Sequence, residues 1–304
     1  MIEYQARPCT QARAEHAEGP SWDGAQQDLL WVDIYGHRVL RALPVAGHVL
    51  APGEASSFDI GRCVSAVVPL EDPDAGHLIA DELGVAHLPA DGRVAPLVEL
   101  EPGGAGRIRM NDAKCDPQGR LWAGSMAHDK APGAASLYRI DPDLSVTTAI
   151  AGVTISNGLA WTRDAATMYY IDTPRQRVDR LRLTGTGDIA ASEVSFEIPP
   201  SEGAPDGMAM DEEGCLWVAL WGGWQVVRFS PAGEKLARVA VDAERVSSCA
   251  FGGPDGRTLF ITTSQEDMTA AERDAQPHAG KLFAAEVDPS GPPADRFAGS
   301  QLKA

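Results

Sequence analysis

Short apolar runs bounded by turn residues recur along this chain, with the two-residue alternation of strands rather than the 3.6-residue period of helices. LLWVDIY (29–35), RLWAGSM (120–126), TMYYIDT (167–173), CLWVALW (215–221) and TLFITTS (258–264) are the clearest. Pro117-Gln118-Gly119, Glu212-Glu213-Gly214 and Pro254-Asp255-Gly256 each set a glycine where a hairpin needs positive φ. Second hairpins follow at SLYRIDPDLSV (136–146), VDRLRLTGTGD (178–188), VVRFSPAGEK (226–235) and KLFAAEVDPSG (281–291), and they predict outer strands. The best helical candidate, SQEDMTAAERDAQP (264–277), is ended by Pro277 and Gly280. It reads as a long inter-strand loop with one or two helical turns.

A polar position stands about ten residues ahead of each apolar run. These positions are Glu18, Ser65, Asn111, Asn157, Asp206 and Ser248, spaced 47, 46, 46, 49 and 42 residues apart. A strand-and-turn repeat of this length predicts an all-β fold, a six-bladed β-propeller with four-stranded antiparallel blades around a central channel. Residues 1–304 read as one such domain. Closed propellers hide their sheet edges, so Ile2–Pro8 is expected to pair in the blade that holds the C-terminus. Equivalent positions then form a ring, here with two carboxylates, two amides and two serines.

Composition narrows the partners. With 26 Lys+Arg against 43 Asp+Glu the formal charge is −17, which argues against nucleic acid and anionic membrane surfaces. Cys9, Cys63, Cys115, Cys215 and Cys249 are odd in number and include no C-x-x-C pair, so buried free thiols and a reducing compartment are expected. The N-terminus MIEYQARPCT has no apolar run, and no stretch is long enough to span a membrane. A cytoplasmic protein is the expectation. G-x-S-x-G, H-E-x-x-H and Walker-type loops are absent from the sequence.

The ring of oxygen donors suits a hard divalent cation, which takes carboxylate, carbonyl and water ligands. The same side chains could instead cap strand ends or solvate the channel. Trp22, Trp31, Trp122, Trp161 and Trp217 fall in equivalent strand patterns and are assigned to the core.

EGPSW, RMNDAKCDPQGRLWAGSM, ISNGLAW and PDGMAMDEEGCLWVALWGG, in this order along the chain, resemble the signature segments of the regucalcin/gluconolactonase family. That family includes senescence marker protein and luciferin-regenerating enzyme-like proteins, six-bladed propellers that open sugar lactones. The resemblance implies one divalent cation held by Glu18, Asn157 and Asp206, with Ca²⁺ ahead of Zn²⁺, Mg²⁺ or Mn²⁺. It implies that Arg109 and Asn111 hold substrate, and that an acidic residue after the AG-[ST]-M segment contacts sugar hydroxyls. Here that residue is Asp129, whose arm is short, with His128 beside it. Asp206 is placed as general base as well as ligand, and Trp221 and Trp224 as possible walls of the mouth. The expected function is a metal-dependent lactonase acting on a small-molecule sugar lactone. The rival readings are a phosphotriesterase or arylesterase on the same cation, and a non-catalytic calcium-binding regulatory protein.

Overall fold

The five apolar runs singled out above all become the second strand of a blade, where both faces are covered by neighbouring sheets and polar side chains would be hard to satisfy. The computed structural model describes residues 1–42, 55–101, 106–299 and 302. Within them six sheets radiate from a common axis as a six-bladed β-propeller. The innermost strands, in blade order, are Ala17–Asp23, Val64–Pro69, Ile108–Cys115, Ser156–Trp161, Ala204–Met210 and Val246–Gly252. Each blade then runs outward as an antiparallel meander. The core lies between blades. Trp31, Trp122 and Trp217 are fully buried at equivalent second-strand positions, and Trp22 and Trp161 are buried at the ends of innermost strands. All five cysteines are free and buried.

Ring closure differs from the sequence expectation. Ile2–Pro8 is not one strand in one blade. Ile2–Gln5 adds to blade five as a fifth strand, parallel to Lys235–Ala240. Arg7–Arg13 is the outer strand of blade six, antiparallel to Lys281–Glu286. The break falls at Ala6, which is buried and donates its N–H to the Ala240 carbonyl (2.9 Å). Alternation alone carries no information about which of two neighbouring free edges a strand will join.

Two further segments matter for the site. The loop after Thr258–Thr263 contains the short helix Ala270–Ala275, opened by a reciprocal Thr269–Glu272 capping box. After Lys281–Glu286 the chain crosses beneath the ring, where Phe297 exchanges backbone hydrogen bonds with Pro69 and Glu71. Pro292, Pro293 and Ala294 cover a cavity at that far end of the channel. The other end stays open. Among the described residues no helix is long and apolar enough to cross a membrane.

Candidate active site

Each innermost strand slips register against its neighbour near the point where a ring residue stands, as at Glu18/Ser21, Met110/Asp112, Asn157/Leu159 and Pro205/Met208. A bulge of this kind turns a side chain off the sheet face and toward the axis. Glu18, Arg109, Asn111, Asn157 and Asp206 are brought together in this way. They line one cavity of about 150 Å³ at the open end of the channel. Ser65 and Ser248 hold the equivalent strands but lie outside its lining. Ser65 donates to the Ala80 carbonyl (3.1 Å), and Ser248 sits against the backbone of Gly207.

The three oxygen donors are buried. Glu18 Oε2 accepts from the N–H of Gly19 (2.7 Å). Burial, and then the charge of Asp112, pushes its carboxyl up to about 8. Asp206 is held well above the carboxylate range by burial and then by the charges of Glu18, Asp112 and Glu266, against the pull of the Gly207 N–H. Asn157 Nδ2 donates to Thr173 Oγ1 (2.9 Å), which donates in turn to the Pro205 carbonyl (2.9 Å). This chain of donors fixes which way round the amide lies. It leaves Asn157 Oδ1 buried with no hydrogen-bond partner among the described residues. A buried orphan oxygen costs about 1–3 kcal/mol unless something in the cavity engages it. Among the described residues no group of three or more His, Cys, Asp and Glu side chains is placed to hold an ion. The set here has two carboxylates and one amide, and that mixture fits a hard divalent cation.

On another wall, Arg109 is buried and its Nη1 donates to the Met110 carbonyl (2.9 Å) and to Asn111 Oδ1 (2.8 Å). Asn111 Nδ2 donates to the Ser156 carbonyl (2.8 Å), so both ends of that amide are engaged and it acts as a brace for the guanidinium. Arg109 also lies over the Tyr35 ring (5.5 Å). Among the described residues its Nε has no hydrogen-bond partner.

The structure places the remaining sequence candidates unevenly. Asp129 is exposed and outside the lining, its carboxylate accepting from the Ala131 N–H (3.1 Å). His128 is exposed beside it, and Trp224 projects to solvent at positive φ. Trp221 does line the cavity, stacked on His16 (5.4 Å). Sequence reasoning missed four polar groups that meet here, namely His16, Tyr35, Lys130 and Glu266. His16 stands two residues before Glu18, and its neighbour in the motif was the available signal. Glu266 sits in a loop, where no periodicity marks it.

Residues 16–265 match the SMP-30/Gluconolactonase/LRE-like region. The chain is 36% identical over 273 residues to regucalcin of Danio rerio, covering 88% of this chain and 90% of that protein. It is 36% identical over 286 residues to a pentonolactonase of Haloferax volcanii, covering 91% of this chain and 92% of that protein. Its fold is similar to the crystal structure of a calcium-binding protein, regucalcin, from Agrobacterium tumefaciens, with a TM-score of 0.90 and 28% identity over 97% of this chain and 98% of that one. With the match running through the segments that supply Glu18, Arg109, Asn157 and Asp206, the chain belongs to the SMP-30/gluconolactonase/LRE-like family.

Proposed function

We propose that this protein is a lactone hydrolase whose substrate is a small sugar lactone, and that it works with one divalent cation held by Glu18, Asn157 and Asp206. The observation that carries this reading is the buried Oδ1 of Asn157, without a hydrogen-bond partner among the described residues, in the same cavity as two carboxylates whose proton affinity is raised by burial and by the charges of neighbouring carboxylates. A cation there would relieve all three groups at once. Names of relatives support the substrate class, since a pentonolactonase is among them.

When bound, the cation supplies electrophilic polarisation of the lactone carbonyl and stabilises the charge that grows on its oxygen. The rest is the work of the chain. Asp206 takes a proton from the attacking water. The water oxygen bonds to the acyl carbon, the ring C–O bond breaks, and the proton passes to the departing ring oxygen. The product is an open hydroxy acid that loses a proton at neutral pH. Arg109 orients the acyl group, its fork held by Asn111 and Tyr35. Met126, Ile155 and Trp221 form the apolar part of the wall and keep water away from the reacting carbon. Arg109, Lys130 and Glu266 in the lining offer hydrogen-bond partners to hydroxyl groups, which favours a polyhydroxylated lactone over an apolar aryl ester or phosphotriester. A buffer of ions alone would not require Arg109 and its brace.

The test is proton release from a small panel of lactones, with the protein stripped by chelator and then reloaded. Turnover should vanish on stripping and return with Ca²⁺, Mg²⁺, Mn²⁺ or Zn²⁺. Unchanged turnover after exhaustive chelation would end the metal-dependent reading.

A further inference from the structure

Glu266 and Lys130 come from blades on opposite sides of the ring. Glu266 follows Thr258–Thr263 of blade six, and Lys130 follows Leu121–Ala127 of blade three. Both line the cavity, and their charged ends are 3.9 Å apart. Lys130 is half exposed, while the Glu266 side chain is 15% exposed. Glu266 is also the better anchored of the two. Its Oε2 faces His16 Nδ1 at 2.9 Å, and its Oε1 accepts from the Tyr35 hydroxyl at 3.3 Å. His16 is fixed in turn by its stack on Trp221 and by its N–H bond to Asp33 (3.1 Å). This carboxylate therefore stands in the cavity in one orientation and cannot swing aside without breaking two contacts.

A carboxylate held in that way has two chemical consequences for a ligand. Its remaining lone pairs accept hydrogen bonds from hydroxyl groups, and acceptor bonds to an ionised oxygen are the strong kind. Its charge also opposes any anionic substituent brought to the same wall. The charge is present across the working pH range. Burial alone would raise the carboxyl, but the hydrogen bond and charge of His16, followed by Lys130 and Arg109, hold it down at about 2.

We propose that Glu266 is a specificity-determining residue, one that selects neutral polyhydroxylated lactones and rejects lactones carrying a phosphate, sulfonate or carboxylate. The inference rests on the lactone reading above for the class of ligand, and on the Glu266 contacts for the choice within it. His16 and Tyr35 are positioning residues that aim the carboxylate. Lys130 is the countercharge at the mouth. With Glu266 neutralised, Lys130 and Arg109 are left without the carboxylate that faces them, so the preference should shift toward anionic substituents rather than merely weaken.

The experiment compares Glu266→Gln and Glu266→Asp with wild type on three probes. These are D-glucono-1,5-lactone, its 6-phosphate, and δ-valerolactone, which has no hydroxyl groups. For E266Q we expect kcat/KM on gluconolactone to fall on the order of tenfold, mainly through KM, with a rise on the 6-phosphate. δ-Valerolactone should change by less than about twofold, since it offers no hydroxyl to this wall. E266D keeps the charge, so it should lose affinity for gluconolactone while still rejecting the 6-phosphate. Binding of gluconolactam and its 6-phosphate, measured by calorimetry, repeats the comparison without turnover. Absence of any lactone hydrolysis by wild type would thus sink the activity reading alone, and the lactams would still judge Glu266. Circular dichroism and thermal unfolding report whether each variant is folded. If E266Q does not fold, E266D and the lactams decide. Equal losses on all three probes, or an unchanged ratio of gluconolactone to its 6-phosphate in a folded variant, would overturn the proposal.

Discussion

Glu18, Asn157 and Asp206 are each followed by a glycine, and the structure gives the reason. A Cβ on Gly207 would lie 2.0 Å from Ser248 Oγ and 2.9 Å from Ser248 Cα, so only a glycine lets the innermost strands of blades five and six approach. Gly158 is comparable, at φ +24° with the Asp206 carbonyl 2.7 Å from its would-be Cβ. The proposed ligands therefore stand on closely crowded backbone. Gly207→Ala should cost several kcal/mol, about 2–4, and disturb Asp206. Ser248→Gly, which removes the nearest clashing atoms, should recover part of the loss in thermal unfolding and in activity. No recovery would mean that the crowding is not with Ser248. The two jobs given to Asp206 separate in Asp206→Asn, which keeps a ligand oxygen but removes the base. At saturating metal, with occupancy checked independently, kcat should still fall roughly 100-fold or more, and the acid limb of the pH profile should flatten. Full rescue by excess metal would leave Asp206 as ligand only. Protonation gives a further check. Glu18 is raised from 4.5 to about 8 by burial first and the Asp112 charge second, so its protonated form is the one the folded, cation-free protein favours. Stability from this source is complete below about 4.5 and is lost as pH rises through about 8. A cation must displace the proton, so Ca²⁺ affinity should weaken as pH falls below about 8, by up to about tenfold per unit for each proton released. Calorimetry at pH 6, 7 and 8 in buffers of different ionisation enthalpy measures both effects. A flat affinity with no proton release would remove Glu18 from the ligand set.

At the scale of elements, what could be read from the sequence follows a simple division. Inner and second strands repeat a pattern because each must bury two faces between blades, and that requirement writes itself into alternation and into a tryptophan at a fixed place, as at Trp31, Trp122 and Trp217. The register slips that aim Glu18, Asn157 and Asp206 inward recur with the strands, so the ring positions were visible as a spacing. Arg109 was visible from the same strand as Asn111, though the role of Asn111 as its brace was not, because a brace is defined by where both ends of an amide go. Loops and edges obey no such repeat. Asp129 matched by offset from Met126, but the turn at Asp129–Ala131 directs that carboxylate to its own backbone. Lys130, one residue later and at φ +57°, is the side chain that lines the cavity. Glu266 was hidden for a similar reason, in a loop whose only local signal was the Thr269–Glu272 capping box three residues further on. The N-terminal strand pair shows the same limit at a sheet edge. Ile2–Gln5 and Arg7–Arg13 are short and largely exposed, and their assignment to blades five and six depends on which edge lies nearest.

For the whole molecule, the site and the closure of the ring are one problem. The proposed cation ligands come from blades one, four and five, so their spacing is kept only while the ring is shut. Shutting it falls to Arg7–Arg13, which supplies the outer strand of blade six and then runs straight into His16 and Glu18 at the head of blade one. Cys9 and Thr10 are buried in that strand, and the Cys9 thiol donates to the Leu282 carbonyl. Ala14 adds a backbone bond to Gly280 (2.8 Å), and Arg38 reaches the Arg13 carbonyl (2.8 Å). Ile2–Gln5 is different. It lies on the outside of blade five, and Tyr4, against Trp217 at 6.3 Å, is its main packing contact. Removing residues 1–5 should therefore cost only a few degrees of unfolding temperature. Removing residues 1–13 uncovers the edge of Lys281–Glu286 and unties blade one from blade six, a loss of several hydrogen bonds and buried apolar groups together. For a chain of this size each kcal/mol moves the midpoint by about 2–4 °C, so a fall of roughly 10 °C or more is expected. Cation affinity should fall with it, since Glu18 loses the strand that leads to it, while Asn157 and Asp206 keep their own blades. Calorimetric unfolding and Ca²⁺ titration of the two truncations read these separately. If the longer truncation melted with the shorter one and bound Ca²⁺ as tightly, the ring would be closed by contacts between blade faces, and the N-terminal strand would be no more than an edge cover.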